Sequence, residues 1–202
     1  MRQIVKTVQQ KGLAADVVAV ISNTADAAAL NWAKERNITT HVVPHSDYAT
    51  REAFDAALAQ QIKAYQPNYI LLAGFMRILT PSFVEQFEGK LINIHPSLLP
   101  AFPGLKTHQQ ALLAGVQCHG CTIHFVTAQL DDGPIIAQGI TPVLANDTEA
   151  TLAARVLHVE HICYAAVVQW LSEGRVLIEP NGKVTVSGVE HRAFFVAEQA
   201  VS

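Results

Sequence analysis

The sequence predicts an α/β protein in which helices cover a mostly parallel β-sheet. Short apolar runs typical of buried strands alternate with longer segments of helical periodicity. Near the C-terminus, Asn181-Gly182 separates two short apolar runs, a pattern that indicates an antiparallel hairpin. The length of 202 residues suits one domain, which we expect to span residues 1–202.

In the N-terminal half, each expected element follows from the period of its apolar residues. Helices are expected at residues 3–11, 25–36, 49–65 and 81–87, and strands at residues 16–22, 40–43 and 69–75. Pro81 lies near the first turn of its helix, where the missing N–H of proline removes no helical hydrogen bond.

In the C-terminal half, strands are expected at residues 91–94, 121–127 and 134–141, and helices at 107–114 and 148–172. We expect the long helix to begin at a capping-box pair, Asn146 and Glu149, and to stop at Gly174. Residues 95–104 contain three prolines and predict a loop at the carboxyl end of a strand, the edge where α/β sheets bind ligands. After about residue 180 we expect only the hairpin and a peripheral tail.

The composition indicates partners that are small molecules. The formal net charge is −3 and the isoelectric point is near 6.3, without a run of Lys or Arg, which disfavours nucleic acid and anionic membranes. The longest apolar runs are far shorter than the roughly 20 residues that cross a bilayer. We find no pattern of a secretory signal, so we expect a cytoplasmic protein.

The three cysteines are expected to be free thiols, because the count is odd and no secretory signal is seen. Cys118 and Cys121 form a C-x-x-C pattern, but it leads into a strand, which favours packing over a metal or redox role. His158 and His161 have helical metal-ligand spacing without an evident third ligand. We therefore expect no metal.

Asn93 and His95 are the first candidates for chemistry. They stand two residues apart at the end of a buried strand, and an extended backbone sends such side chains to the same side. An amide and an imidazole there can converge on one small group. The alternative is a structural histidine that ends a strand beside a hydrogen-bonded asparagine.

Several motifs resemble those of the folate-dependent formyltransferases. Asn93 to Pro100 is similar to the active-site signature of that family, and Phe102 to Gly104 continues it as in the members that act on glycinamide ribonucleotide. Downstream, His119-Gly120-x-x-x-His124 and Leu130-Asp131-x-Gly133-Pro134 follow in the family's order and spacing. Ala73 to Leu79 matches a strand and turn on the folate side.

The resemblance implies an enzyme of de novo purine (IMP) biosynthesis with a doubly wound, Rossmann-like formyltransferase fold. It would transfer the formyl group of 10-formyltetrahydrofolate, its co-substrate, to the amine of glycinamide ribonucleotide through a tetrahedral intermediate. The resemblance implies that Asn93 and protonated His95 bind the developing oxyanion. It implies that Asp131 favours the protonated form of His95 and assists proton transfer. For Asp131, the alternative is a simple turn carboxylate.

The resemblance also assigns binding residues. On the folate side they are Arg51, Met76, Arg77, Ile78, Leu79, Asn93, Thr127, Ala128, Gln129, Leu130 and Asp131. For the ribonucleotide they are Leu157, His158, Val159 and Glu160, and His124 would lie just behind the catalytic residues. The alternatives are that Arg51 is a surface charge, that Met76 and Ile78 cap the core, and that His158 lies on an exposed helix face.

One family feature has no match here. Members begin with a strand and a Gly/Ser/Asn-rich loop that receives the ribonucleotide phosphate at a helix N-terminus. Met1 to Gly12 matches the helix after that loop. Either a start site assigned too far downstream or a truncation would explain this.

Three other functions remain open. Methionyl-tRNA formyltransferase and formyltetrahydrofolate hydrolase share the Asn-x-His…Asp pattern, although we would expect each to carry an additional domain. The third is a folate-binding remnant without catalytic activity. A monomer and a homodimer are equally compatible with the sequence.

Overall fold

The computed structural model describes residues 1–196, in which helices and strands alternate as predicted. The helices are α1 (Arg2–Gln10), α2 (Ala28–Lys34), α3 (Arg51–Lys63), α4 (Pro81–Gln86), α5 (Thr107–Ala114) and α6 (Glu149–Ser172). The strands are β1 (Val20–Ser22), β2 (Thr40–Val42), β3 (Ile70–Leu71), β4 (Leu91–His95), β5 (Cys118–Phe125), β6 (Ile135–Pro142), β7 (Val176–Ile178), β8 (Val184–Val186) and β9 (Ala193–Phe195). A short 3-10 helix covers His45–Asp47.

The main sheet has the strand order β3-β4-β5-β6-β9, and β1 and β2 form a separate parallel pair. The β3–β4 and β6–β9 pairings are parallel, whereas β5 runs antiparallel to both of its neighbours. Strands β7 and β8 form the antiparallel hairpin predicted around Asn181-Gly182. The predicted fold class is confirmed.

Helices cover both faces of the main sheet. Ile92 of β4 belongs to the hydrophobic cluster that contains the buried face of α6. The adjacent Leu91 belongs to a second cluster, formed by α3 and α4. Because successive residues of a strand point to opposite faces, the two clusters lie on opposite sides of the sheet.

Two of the predicted strands are much shorter in the structure. The run at 16–22 forms a strand only at Val20–Ser22, and the run at 69–75 only at Ile70–Leu71. Within residues 1–196, β1 pairs only with β2 and β3 pairs only with β4. A strand bonded along one edge has fewer hydrogen bonds to hold its ends, which accounts for the shortening.

Two boundaries near the site also differ from the prediction. His95 is the last residue of β4 rather than the first residue beyond it. Strand β5 begins at Cys118, so the C-x-x-C pattern lies inside the strand. Strand β5 is bonded along both edges, and its pairing with β6 extends back to Cys118 opposite Pro142.

The predicted cap of α6 was wrong. Thr148, not Asn146, caps the helix: its hydroxyl accepts the N–H of Thr151 at 3.2 Å, and the Thr151 hydroxyl accepts the N–H of Thr148 at 2.9 Å. Both Asn and Thr are good caps, so composition alone did not distinguish them. Asp147, which precedes the cap, forms an ion pair with Arg155, whose Nη1 lies 2.7 Å from Oδ2 of Asp147.

The C-terminal segment contains a strand that the sequence pattern did not predict. Strand β9 pairs in parallel with β6, and the Phe194 ring stacks on Trp170 with centroids 5.9 Å apart. The rest of the expected tail, residues 197–202, lies outside the described residues.

Within the described part of the chain, α6 is the one helix that is long enough and apolar enough to span a membrane, judged by length and composition alone. Its residues Val156, Val159, Cys163 and Val167 are buried in the protein core. The apolar residues of α6 therefore serve to pack this helix into the protein core.

Candidate active site

Asn93 and His95 lie on the same face of β4, as predicted. Opposite them on β5, His124 pairs with Asn93 and Thr122 pairs with His95. In an antiparallel ladder, directly opposed residues share a face. The four polar side chains therefore form one patch at the carboxyl end of β4.

His95 has an acceptor near each ring nitrogen. Its Nδ1 lies 3.4 Å from Oδ2 of Asp131, and its Nε2 lies 3.0 Å from the carbonyl oxygen of Phe102. A carbonyl and a carboxylate can only accept hydrogen bonds, so protons on both nitrogens suit these surroundings. The side chains of His95 and Asp131 are 7% and 8% exposed. The site can therefore hold an imidazolium ion beside a carboxylate.

The turn before β6 brings Asp131 to His95. Asp131 has a positive φ of 52°, a conformation that Asp tolerates better than most residues. A Cβ on Gly133 would lie 1.7 Å from the carbonyl oxygen of Phe125, so glycine lets this turn pack closely against the end of β5. Asp132 is exposed, whereas Asp131 faces the site and accepts the N–H of Gly104 at 2.9 Å.

His124 lies behind Asn93. Its Nδ1 lies 2.9 Å from the carbonyl of Phe125 and therefore donates, which leaves Nε2 as an acceptor. That Nε2 lies 3.5 Å from the amide Nδ2 of Asn93. Burial lowers the pKa of His124, which favours the neutral ring that this arrangement requires. His124 thus orients the amide of Asn93.

The residues expected on the folate side include several exposed apolar side chains. Met76 is 77% exposed, Ile78 58% and Leu130 57%. The alternative that Met76 and Ile78 cap the core is therefore wrong. Arg51, the first residue of α3, donates to the Ile78 carbonyl at 3.5 Å, so it lies beside these apolar side chains.

The other expected folate-side residues have more varied surroundings. The Arg77 guanidinium lies 5.2 Å from the centre of the Phe54 ring, and Leu79 packs against the core of α3 and α4. Thr127 is half-buried and donates to the carbonyl of Gln129 at 3.2 Å. Ala128 and Gln129 are exposed in the segment between β5 and Asp131.

The four residues expected to bind the ribonucleotide are not equally accessible. Leu157 and His158 are exposed, and Glu160 is half-buried. Burial raises the pKa of Glu160 to about 7, and the nearby amino group of Met1 opposes that shift. Val159 is completely buried, packed against Gly139 in the core, and has no side-chain surface to offer.

The loop after β4 is held by residues that the sequence analysis did not select. The Thr122 hydroxyl donates to the Ser97 carbonyl at 2.7 Å and accepts the N–H of Leu99 at 3.0 Å. Gln138 donates to the Leu99 carbonyl at 2.9 Å. The strand period could have revealed Thr122, which lies two residues before His124 and hence on its face.

A pair of histidines adjoins the site and was also missed. Nδ1 of His108 lies 3.2 Å from Nε2 of His119, which is completely buried. Burial lowers the pKa of His119 to about 4, with smaller contributions from the charges of His108 and His95. His119 is therefore a neutral part of the packing behind His95.

Residues 1–196 contain no group of three or more His, Cys, Asp or Glu side chains placed to hold a metal ion. The thiols of Cys118, Cys121 and Cys163 are free, as expected. Cys121 and Cys163 are buried and Cys118 is exposed, so the C-x-x-C pattern does not present two thiols to one site.

The chain is similar to known formyl-transferring enzymes. The family described as formyl transferase matches residues 1–168. The phosphoribosylglycinamide formyltransferase of Escherichia coli K12 is 45% identical over 181 residues, which cover 90% of this chain and 85% of that protein. The structure of phosphoribosylglycinamide formyltransferase from Coxiella burnetii has a TM-score of 0.87 and 43% identity, covering 96% of this chain and 92% of that one.

A formyltetrahydrofolate deformylase from Pseudomonas syringae is also similar, with a TM-score of 0.83 and 31% identity, covering 92% of this chain and 61% of that one. The family match extends over well more than half of the chain and includes Asn93, His95 and Asp131. This protein belongs to the formyl transferase family.

Proposed function

We propose that this enzyme transfers the formyl group of 10-formyltetrahydrofolate to the amine of glycinamide ribonucleotide, a step of purine biosynthesis. The observation that carries the proposal is the convergence of Asn93, His95 and Asp131 at the carboxyl end of β4. The similarity to phosphoribosylglycinamide formyltransferases supports this choice of substrates.

In the proposed reaction, the formyl oxygen gains negative charge as the amine attacks the formyl carbon. Asn93 and His95 are the donors for that oxygen, because an amide N–H and an imidazolium N–H lie on the same face of β4. One such donor typically contributes about 10²–10³-fold to turnover. Transfer of the His95 Nε2 hydrogen bond from the Phe102 carbonyl to the substrate oxygen would accompany binding.

Asp131 has two roles in the proposal. Its negative charge, 3.4 Å from His95 Nδ1, stabilises the protonated imidazole. It also accepts a proton, through water, on the way from the attacking amine to the leaving nitrogen of the folate. The N–H of Gly104 holds the carboxylate in place for both tasks.

The chemistry of the folate-side residues fits a flat heteroaromatic ring with an acidic tail. Met76, Ile78 and Leu130 offer exposed apolar surface to the ring, and Arg51 offers a guanidinium to a carboxylate. Backbone groups of Thr127 to Leu130, with Arg77 and Leu79, complete the proposed contact. The substrate would thereby cover apolar surface that is now exposed.

For the ribonucleotide, we propose contacts with Leu157, His158 and Glu160 on α6. Glu160 is the polar contact, since its carboxylate accepts hydrogen bonds from the amine or from ribose hydroxyls. We leave Val159 out, because its side chain is buried in the core.

The second candidate is formyltetrahydrofolate hydrolase, in which water replaces the amine. The similarity to the Pseudomonas deformylase favours it over a tRNA-directed enzyme. A net charge of −3 offers little attraction to tRNA.

The test is to supply 10-formyltetrahydrofolate and measure tetrahydrofolate release with and without glycinamide ribonucleotide. We expect release to depend on the ribonucleotide and to equal the formation of formylated product. Equal release without the ribonucleotide would identify a hydrolase.

The substitution Asp131→Asn distinguishes catalysed release of tetrahydrofolate from uncatalysed release. Asp132→Asn is its matched control. Only the first should abolish release, since Asp132 is exposed. Tight binding of 10-formyltetrahydrofolate without any release by the wild-type protein would indicate a binding protein.

A further inference from the structure

Residues 73–79 lie between β3 and α4 and include four of the proposed folate-side residues, Met76 to Leu79. Just before this segment, the N–H of Leu72 donates to the Ile92 carbonyl at 2.8 Å. Within residues 1–196, none of residues 73–79 donates or accepts a hydrogen bond between backbone groups. The shape of this segment therefore depends on contacts with side chains from other elements.

One side of α3 supplies such contacts. Arg51 and Phe54 are three residues apart, so they lie on the same side of the helix. Arg51 donates to the Ile78 carbonyl at 3.5 Å, and the Phe54 ring lies 5.2 Å from the Arg77 guanidinium. The first distance is long for a hydrogen bond, and both arginines are exposed to water. These two contacts therefore hold the segment only weakly.

Asp55 makes a shorter and better shielded contact. It lies one helical turn after Arg51, on the same side of α3. Its Oδ2 accepts the N–H of Thr80 at 2.7 Å, and the two residues are 3% and 5% exposed. A hydrogen bond shielded from water is stronger than an exposed one, and removal of its acceptor leaves a buried N–H without a partner.

The Asp55 contact is not required to cap α4. Thr80 is the N-cap of that helix, and its own hydroxyl accepts the N–H of Phe83 at 3.3 Å. The N–H of Thr80 faces the chain that arrives from the folate side. Asp55 therefore fixes the direction in which Ile78 and Leu79 approach α4, with Ile78 exposed and Leu79 packed in the core.

We propose that Asp55 is a positioning residue for the folate, because its bond to the N–H of Thr80 keeps residues 76–79 in the shape that binds 10-formyltetrahydrofolate. The inference rests on the proposed function and adds to it a buried residue outside the substrate contacts. A protein whose binding shape is populated only in part has its affinity reduced by that fraction. Loss of Asp55 should weaken folate binding and leave the chemistry at His95 and Asp131 unaffected.

The test compares Asp55→Ala with the wild-type 202-residue chain. Calorimetric titration gives the Kd for 10-formyltetrahydrofolate, and steady-state kinetics gives kcat and the KM for each substrate. We expect the folate Kd and KM to rise about tenfold, the equivalent of one lost hydrogen bond, while kcat and the KM for glycinamide ribonucleotide stay within about twofold. Simple loss of folded protein would do the reverse, lowering the apparent kcat without changing either KM.

Two further variants sharpen the comparison. Asp55→Asn keeps an oxygen that accepts the Thr80 N–H, so it should recover most of the folate affinity. Asp147→Ala is the matched control, because Asp147 also accepts a loop N–H, from Leu144 at 2.8 Å, but precedes α6. It should lower the melting temperature and leave the folate Kd unchanged.

An unchanged folate Kd in Asp55→Ala would overturn the proposal. Equal weakening of folate binding in Asp147→Ala or in Asp55→Asn would do so too, as would equal rises of the two KM values. Absence of folate binding by the wild-type protein would instead overturn the proposed function, and this inference with it.

If Asp55→Ala does not fold, amide hydrogen exchange in the wild-type protein decides. The Thr80 amide should exchange at least about tenfold more slowly than the Ile78 amide, since only the first has a buried acceptor. Equal exchange rates at Thr80 and Ile78 would show that Asp55 does not hold the segment.

Discussion

Nδ1 of His95 lies 3.4 Å from Oδ2 of Asp131, and both side chains are more than nine-tenths buried. The contact joins the end of β4 to the turn before β6. Charges at such a site are screened less by water than surface charges are, so an imidazolium ion and a carboxylate there interact more strongly than a surface pair would. The first two predictions depend on this pair.

Replacement of His95 by alanine should reduce turnover by about 10²-fold or more, since removal of one oxyanion donor typically has that effect. Folate affinity should change little, because the proposed folate contacts lie mainly on other residues. Steady-state kinetics and a folate-binding titration measure the two effects. His191→Ala, at an exposed histidine, is the control. Near-normal turnover of His95→Ala would remove His95 from the mechanism.

Asp131→Asn should reduce turnover, because a nearby carboxylate stabilises the imidazolium ion of His95 and a neutral amide does not. Steady-state kinetics measures the change. Asp132→Asn should leave turnover unchanged, since Asp132 is exposed in the same turn. Near-wild-type turnover of Asp131→Asn would contradict the assigned role.

His124→Leu should reduce turnover by up to about tenfold, the equivalent of one lost hydrogen bond to Asn93. Binding should change less, because Asn93 remains present but its amide is no longer oriented. His124→Gln retains an acceptor and should recover part of the turnover. If Leu and Gln variants have equal turnover, His124 contributes only packing.

Acid should destabilise the protein partly through His119. The unfolded residue has a pKa near 6.5 and the folded residue near 4, so the unfolded state binds more protons between these values. The free energy of unfolding therefore falls as pH drops from 6.5 toward 4 and levels off below. His119→Phe should show a smaller fall in urea unfolding measured across this range. An identical fall would assign the acid sensitivity to other groups.

Burial raises the pKa of Glu160 to about 7, so the proposed contact between Glu160 and the ribonucleotide should make ribonucleotide binding depend on pH. Its carboxylate ionises as pH rises through that value and becomes a stronger hydrogen-bond acceptor. The KM for glycinamide ribonucleotide should therefore fall from about pH 6 to about pH 8, and Glu160→Gln should weaken this dependence. Glu149→Gln, at an exposed residue of the same helix, is the control. Identical KM profiles for wild type and Glu160→Gln would exclude the contact.

The spacing of apolar residues along the chain accounts for most of the secondary structure that could be predicted from the sequence. It predicted the order and type of nearly all helices and strands, and it placed Asn93 and His95 on one side of β4. Motif resemblance added Asp131 and His124, which no local pattern distinguishes from turn and strand residues. Element ends were less certain: Asn146 and Thr148 are both suitable caps, and only the hydrogen bonds of Thr148 identify the true start of α6.

The sequence by itself determined the α/β class, the hairpin and the facing of Asn93 and His95, because these depend on repeats of two to four residues along one segment. Only the tertiary structure decided that Asp131 and the Phe102 carbonyl flank the His95 ring and that Thr122 holds the loop. It also decided the lengths of β1 and β3. Contacts between distant segments depend on strand register and on which edges are paired, and these follow from packing of the whole chain.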